Sequence, residues 1–386
     1  MSSSSPSKVL IIGGTGAQGL PVVHGLVHDG KYCCRILTRD ATSARAQSLL
    51  ALGNVELLEG SFTNEADLRN AYQGCDRAFV NIDGFNVGEK GELFWAIRAY
   101  ELALENRGIQ FFVYGNLDYV YKKSGYDPRF RTGHYDGKGR IAEWILAQAR
   151  DNTKSALLPL MGVAVFTTGP YMEMAISAGT PMGPRIEQDE NDGTDVLTWR
   201  VPLGDHGAIP HVALDDCGPY VRWLFDHPER SNGLDLEVAI EHVDYHQLAR
   251  AFTRVTGHPA RYVNVDFDTY WHSGPLAPVA SRPAGYGADV NDPASMTIRS
   301  NFTGFWTMWQ HSGGNRGVIR RNYALLDEIH PGRIRSVEQW FQREDEKGRK
   351  AGKGSLWERL QNDRRQFILK IHEDGFRNSN KSRPQL

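Results

Sequence analysis

Over residues 1–170, short apolar runs alternate with stretches in which apolar positions recur at helical spacing. The runs at 8–12 (KVLII), 33–38 (CCRILT), 54–60 (NVELLEG), 77–82 (RAFVNI) and 109–115 (IQFFVYG) predict strands. The segment after Gly16 and residues 65–72 and 93–106 predict the intervening helices. A helix at 139–150 and a strand with a turn at 162–170 (GVAVFTTGP) continue the series. This β-α-β rhythm predicts an α/β class with a doubly wound parallel sheet. Such sheets bind ligands at the carboxyl ends of their strands.

Beyond residue 170 the pattern loosens. Residues 183–193 are polar and turn-rich, 215–228 hold a short helix, and strands at 234–239 and 260–265 flank a helix at 245–256. Residues 273–293 read as a long loop, and 301–311 (NFTGFWTMWQH) concentrate aromatics. From 342 to 386 the chain is dense in charge of both signs, with a helix-like stretch at 356–371 and an end expected to fray. The division predicted is a nucleotide-binding domain over 1–165, joined by the strand at 162–170 and by returning segments. A smaller mixed C-terminal substrate lobe follows, mainly over 171–341, and then a charged tail at 342–386. No internal repeat is visible.

Composition narrows the function classes. The chain has 386 residues, 40% hydrophobic and 23% charged, with 40 glycines, which is ordinary globular usage. A formal charge of -2 argues against direct nucleic-acid binding or a dedicated membrane-surface role. The opening MSSSSPSK lacks a signal peptide's apolar core, and no apolar run is long enough to span a bilayer, so a cytoplasmic location is expected. Cys33, Cys34, Cys75 and Cys217 have no metal-ligand spacing, and no metal is expected. They read as free thiols of a reducing compartment, where the sequons at Asn301 and Asn380 carry little meaning.

The segment IIGGTGAQGLPVV (11–23) carries the chemistry. Gly13, Gly16 and Gly19 stand between a strand and a helix at the start of the βαβ pattern. One glycine allows a tight turn, one lets the backbone approach a pyrophosphate, and one lets the helix pack closely on its strand. The helix N-terminus then offers N–H groups and its positive dipole end to the phosphates. Pro21 suits the first helical turn, where a missing N–H costs little. The second strand ends ILTRD, with Thr38 and Arg39 where NAD sites often place an acid. A guanidinium there suits the 2′-phosphate of NADP, with Arg45 as a second candidate, so NADP(H) is favoured over NAD. Asp40, one residue late, is the competing feature.

Together these features resemble the NmrA-like family of atypical short-chain dehydrogenases. The resemblance is carried by GGTGAQG (13–19), GSFTN (60–64), AFVNID (78–83), HYDGKG (134–139) and TTGPYMEM (167–174). PHVALDDCGPYV (210–221) and EIHPGRIRSVEQW (328–340) add to it and look like fungal members. It covers roughly residues 7 to 342. It implies a Rossmann-type cofactor domain, a smaller C-terminal lobe and a cleft between them. It implies that Thr15, Gly16, Gln18 and Gly19 hold the pyrophosphate and Arg39 the 2′-phosphate. Ser61 and Phe62 would flank the adenine, although relatives often carry Asp at the place of Ser61. Asn81, Ile82 and Asp83 would line the ribose and nicotinamide side, Lys138 would reach the nicotinamide ribose, and Pro170 and Tyr171 would approach the carboxamide.

The usual Ser-Tyr-Lys set of short-chain dehydrogenases is absent as spelled. Four residues before Lys138 stands His134, with Tyr135 beside it, and Gly115 or Asn116 occupies the serine position. Three readings stay open. His134 or Tyr135 donates the proton, with Asn116 orienting a carbonyl oxygen. Or hydride goes to an iminium or other cationic carbon, which needs no acid on oxygen; Asp83, Asp118, Asp136 or Glu173 would then stabilise the cation. Or the domain only binds cofactor and signals to a protein partner, as some NmrA-like regulators do. Tyr119, Tyr121, Glu173 and Trp306 are pocket candidates for a small hydrophobic substrate, with Phe302, Phe305 and Trp309 nearby in sequence. The loop at 122–132 is placed to cover a cleft. The resemblance implies reductases of secondary metabolites, some of which reduce an imine or unsaturated bond before the product cyclises. Oligomeric state is not readable.

Overall fold

The computed structural model describes residues 6–151, 161–177, 179–285, 291–293, 295–362 and 368–369. In chain order the strands are β1 (Ser7–Ile12), β2 (Tyr32–Thr38), β3 (Val55–Glu59), β4 (Arg77–Val80), β5 (Phe111–Leu117) and β6 (Gly162–Thr168). They continue as β7 (Arg185–Gln188), β8 (Asp195–Val201), β9 (Ile209–His211), β10 (Asp235–Glu237), β11 (Glu241–Val243) and β12 (Ala260–Asn264). The helices that matter for the site are α1 (Gly19–Val27), α2 (Ala44–Leu50), α3 (Glu65–Tyr72), α4 (Gly84–Asn106), α5 (Val120–Lys123), α6 (Gly133–Asp151) and α7 (Leu214–Asp226).

Seven strands form one parallel sheet in the order β10-β6-β5-β4-β1-β2-β3. This is the doubly wound Rossmann-type architecture that the alternating pattern predicts, with its topological switch between β1 and β4. Period-two alternation sends Val9, Ile11, Val113, Ala164 and Phe166 to a core shared with α1 and α7. Leu10, Ile12, Phe112, Tyr114, Val163 and Val165 face the other way, towards α3, α4 and α6. Helix α7 and strand β10 therefore return from the second half of the chain to complete the sheet domain. The α1–α7 contact is backbone against backbone: a Cβ on Gly25 would lie 2.6 Å from the Gly218 Cα.

The second lobe holds a mixed three-stranded sheet, with β8 antiparallel to β7 and parallel to β12. Its core is aromatic, with Trp199, Trp306, Trp309, Trp340 and Phe341 all buried. The boundary expected at 342 falls inside the helix Val337–Lys350, which packs its Trp340–Phe341 face into this core. The stretch expected from 356 is helical over Leu356–Gln361, opened by a Ser355–Glu358 capping box. Apart from 368–369, the remainder of that stretch and of the tail lies outside the described residues. No described helix is long and apolar enough to cross a membrane.

Two helices begin earlier than their apolar pattern suggests. Helix α4 starts at Gly84 and bends at Gly88, where φ is 73°. Helix α6 starts at Gly133 rather than 139, which puts His134 and Lys138 on one helical face. Its glycines hide it from periodicity because they serve close packing. A Cβ on Gly133 would come within 2.9 Å of Glu89, and one on Gly139 would run into Tyr119.

One ion pair ties the two lobes. Asp118, just past β5, receives two hydrogen bonds from Arg321 (3.0 and 2.7 Å), and both side chains are fully buried. Burial alone would raise the Asp118 carboxyl; Arg321 and Lys123 outweigh it and hold the group below the usual carboxylate range. Asp118 is thus a structural carboxylate. Replacing Arg321→Leu leaves that buried charge with Lys123 alone and should cost about 3 kcal/mol in denaturant unfolding, most of it recovered in the Asp118→Leu/Arg321→Leu double variant. A single variant within about 1 kcal/mol of wild type would contradict this role.

Candidate functional site

The site grows from the turn after β1. Gly13 sits at φ 85°, and a Cβ there would run into the Asn81 carbonyl. A Cβ on Gly19 would run into the Gly13 carbonyl. The Gly16 N–H donates to the Gly13 carbonyl at 2.9 Å, and the Leu20 N–H donates to the Gly16 carbonyl at 3.1 Å, opening α1. Its N-cap, Gln18, makes no side-chain cap, and the first turn holds no acid. Such a terminus keeps its positive end available to an anion. Three features fit a dinucleotide pyrophosphate: a cradle that side chains would fill, an uncapped helix start, and a position at the sheet's switch point.

A chain of side chains crosses the carboxyl edge of the sheet beside this turn. Gln18 Nε2 donates to Thr168 Oγ1 on β6 at 3.3 Å. Asn81 Nδ2 donates to Gln18 Oε1 at 2.5 Å, and Asn81 Oδ1 accepts from Lys138 Nζ at 3.2 Å. Lys138 Nζ also donates to the Ile82 carbonyl at 2.7 Å and lies 3.4 Å from the Gly115 carbonyl. Its counter-charge is Glu92 on α4, 2.8 Å away and completely buried. Asp83 caps α4 through the Phe85 N–H at 3.0 Å. The structure thus joins Gln18, Asn81, Ile82 and Lys138 in one hydrogen-bonded row beside the Gly13–Gly19 turn that also carries Thr15, with Asp83 next in the chain after Ile82.

At the adenosine end, Arg39 follows β2 and is exposed. Arg45 Nη1 donates to the Thr15 carbonyl at 3.4 Å, so this guanidinium reaches the glycine turn itself. The competing Asp40 supports its own loop, accepting from the Thr42 N–H at 2.9 Å and hydroxyl at 2.6 Å. Ser61 is held by Asp67, whose carboxylate takes its N–H at 2.8 Å, and Phe62 is half-buried beside it.

At the other end Pro170 and Tyr171 are stapled to the strand β9. The Val212 N–H donates to the Pro170 carbonyl at 3.0 Å, the Met172 N–H donates to Val212 at 2.9 Å, and His211 Nδ1 donates to Pro170 at 3.1 Å. Glu173 caps α7 by accepting the Leu214 N–H at 3.1 Å. Its second oxygen is buried without a partner, and burial pushes the carboxyl up to about 8, so it is protonated at neutral pH.

No ready proton donor faces Lys138. Burial lowers His134 to about 4, opposed by its contact with Asn301 and aided by Lys138, so the imidazole is neutral. Its Nδ1 meets the Asn301 amide at 2.8–3.0 Å. Its ring lies among Phe85, Phe302 and Phe305 at centroid distances of 4.8, 5.5 and 6.0 Å. Phe85 and His134 are half-buried and form the open side of this aromatic wall. Tyr135 points into the second lobe's core against Phe305 and Trp309, and burial raises its hydroxyl well above the ordinary value. Asn116 donates to Thr167 Oγ1 at 2.8 Å, and that hydroxyl donates on to Asp235; the Asn116 Oδ1 stays buried and unpartnered.

The other pocket candidates make contacts of their own, Trp306 behind Phe305 of this wall. Trp306 is fully buried against Tyr270 and Phe305. Tyr119 stacks under Arg140, and Tyr121 packs on Tyr126. Asp136 is a structural carboxylate, accepting the Tyr121 N–H at 2.9 Å and the Thr132 N–H at 2.8 Å. Two residues escape a reading of motifs: Phe85 and Glu92. Glu92 had a signal, because it shares spacing with the buried Ala96, Ala99 and Ala103, an acid on an apolar helical stripe. No group of residues able to hold a metal ion occurs among the described residues.

The chain is similar to known proteins in sequence and in fold. A family model described as the NmrA-like family matches residues 5–279. A curated relative, "NmrA-like family domain-containing oxidoreductase ptmS" of Penicillium ochrochloron, is 27% identical over 270 residues, covering 66% of this chain and 74% of its own. The similarly named oxidoreductase himF of Aspergillus japonicus is 26% identical over 274 residues, covering 66% and 75%. Among solved structures, NmrA, a negative transcriptional regulator in complex with NADP, matches with a TM-score of 0.63 at 17% identity, over 90% of this chain and 98% of its own. At that identity the likeness is one of fold.

Buried neutral histidines make stability acid-sensitive. His211 is fully buried, and burial lowers it to about 4 despite its bond to Pro170. The unfolded chain takes up that proton near pH 6.5 and the folded chain only near 4, so stability is lost as pH falls through this window. From pH 7 to 5 the loss from this group is about 2 kcal/mol, readable as a falling melting temperature that flattens in His211→Gln. An equal slope in the variant would refute the assignment.

Proposed function

This chain belongs to the NmrA-like family, and from that premise we propose that it is an NADPH-dependent oxidoreductase acting on a hydrophobic secondary metabolite. The reaction proposed is reduction of an imine or iminium carbon, with an enone or carbonyl as other acceptors and ring closure of the product as a possible sequel. One observation carries the choice of reaction: the aromatic wall of Phe85, His134 and Phe302 beside Lys138 carries no acidic side chain, and the protonated Glu173 is engaged at the start of α7. Reduction of a ketone needs a proton delivered to oxygen. A cationic carbon needs none, since hydride itself neutralises it. The reduced nicotinamide supplies that hydride when bound.

The chain's own residues do the rest. The Gly13–Gly19 turn and the start of α1 bind phosphate. Asn81 and Lys138 orient the ribose side. Phe85, His134 and Phe302 exclude water and present flat faces that suit a cation or a conjugated ring. The proposal draws support from relatives named as oxidoreductases. Arg39 and Arg45 favour NADPH over NADH, since paired guanidinium contacts match a 2′-phosphate. The four cysteines are unpaired, which suits a reducing compartment such as the cytoplasm.

The absent proton donor also fits the regulatory reading, in which a protein partner responds to the bound cofactor. Turnover separates the two. Purified protein should consume NADPH with a cyclic imine taken up as its iminium ion, already protonated in solution, measured as loss of absorbance. Binding of NADPH without turnover of imine, enone or ketone would return the regulatory reading. In the same preparation Arg39→Ala should weaken NADPH binding by tenfold or more, about 1.5–3 kcal/mol, and leave NADH within threefold. An equal loss for both cofactors would remove the argument for NADP.

A further inference from the structure

The glycines of α6 answer carboxylates on α4. Gly133 and Gly137 stand one turn apart and face Glu89 and Glu92, also one turn apart. A Cβ on Gly137 would meet the Glu89 side chain at 3.3 Å and Glu92 Oε2 at 3.6 Å. From the α4 start, a Cβ on Gly84 would run into the Glu92 carboxylate. The backbones open just enough room for these two acids. Their fates differ. Glu89 is paired with Arg131 at 2.9 Å and with Arg140, all partly exposed. Glu92 is fully buried, and the cation paired with it among the described residues is Lys138, at 2.8 Å.

We propose that Glu92 is a positioning residue for Lys138: its buried carboxylate pins the ammonium between the carboxyl ends of β4 and β5. The inference rests on the reading of this crevice as a nicotinamide dinucleotide site. Lys138 Nζ donates to the Ile82 carbonyl at 2.7 Å, the Asn81 amide oxygen at 3.2 Å and the Gly115 carbonyl at 3.4 Å, and Glu92 Oε1 stands 2.8 Å away as its counter-charge. Neither Glu92 oxygen has a hydrogen-bond partner among the described residues, so this ion contact holds the carboxyl group in its buried place. Burial pushes the Glu92 carboxyl up, and Lys138 works against that rise. The remaining groups facing the pair are Asp83 and Glu89 on α4, the Tyr114 ring on β5 at 5.6 Å from Nζ, and neutral His134 on α6. None of them is a cation that would replace Lys138. Because Asn81 also holds Gln18, the position of Lys138 reaches the phosphate turn through two side-chain bonds.

The test is a double-mutant cycle on the full chain: wild type, Glu92→Gln, Lys138→Met and both together. NADPH affinity is titrated by tryptophan fluorescence at pH 7, and melting temperature is read without cofactor. Glu92→Gln removes the counter-charge that holds the ammonium in place, so affinity should fall about tenfold. In the Lys138→Met background Glu92→Gln should change affinity by less than twofold, and the double variant should melt above Lys138→Met alone. Equal effects of Glu92→Gln on affinity in both backgrounds would overturn the proposal. If no variant and no wild type binds NADPH, the cofactor reading fails instead. The melting cycle still decides the pair: additive melting losses overturn it, and a double variant more stable than Lys138→Met upholds it.

Discussion

A lysine ammonium held out of water must be surrounded by acceptors, and the carboxyl edge of this sheet is built around that demand. Lys138 collects a backbone carbonyl from the end of β4, a side-chain amide and a buried carboxylate. The amide belongs to Asn81, whose other half holds Gln18 at the phosphate turn. Gln18 continues to Thr168 on β6, so one hydrogen-bonded row spans the crevice from side to side. The glycines follow from the same demand for closeness. Gly13, Gly19 and Gly115 let strand ends and α1 approach Asn81 and one another, while Gly84 and Gly137 admit Glu92.

That arrangement gives the crevice its chemical character. The charge of Lys138 is answered inside the protein by Glu92, so it does little to stabilise a negative charge forming in the pocket. The group one turn away is a neutral imidazole set in phenylalanines. Tyrosine, where this chain has it, is turned into the neighbouring lobe. A pocket lined in this way favours flat, apolar or cationic partners over one that must gain a proton on oxygen. The same absence makes catalysis and sensing look alike at the glycine turn and different only at the aromatic wall.

The parts of the fold readable in the sequence were those driven by simple periodicity. Strands β1 to β6 announce themselves as apolar runs, and the glycine turn as three positions between a strand and a helix. Three features stayed hidden for physical reasons. The first turn of α6 carries glycines in place of an apolar stripe, because α4 leans against it. Glu92 looks like one more surface acid unless its place on an alanine stripe is counted. The helix at 337–350 reads as charged tail from 342 because its large apolar side chains, Val337, Trp340 and Phe341, all lie in its first turns and charges follow. Strand β10 lies within the strand expected at 234–239, and only its pairing with β6, across a large gap in sequence, is beyond any local pattern. Site residues carried by spacing from Gly13 were easier to find than those, such as Asn301 and Phe85, that meet His134 only through tertiary packing.

The account stands on the crevice receiving a nicotinamide dinucleotide along the Gln18–Asn81–Lys138 row, with the ring end opening onto the His134–Phe85–Phe302 wall. A crystal structure with NADPH tests this most directly. The account predicts pyrophosphate density at the Gly13–Gly19 turn, the 2′-phosphate at Arg39 or Arg45, and an ordered nicotinamide with one face open to space beside His134. A dinucleotide bound away from the turn, or a nicotinamide whose face is closed off by Phe85, Tyr171 or His134, would contradict it.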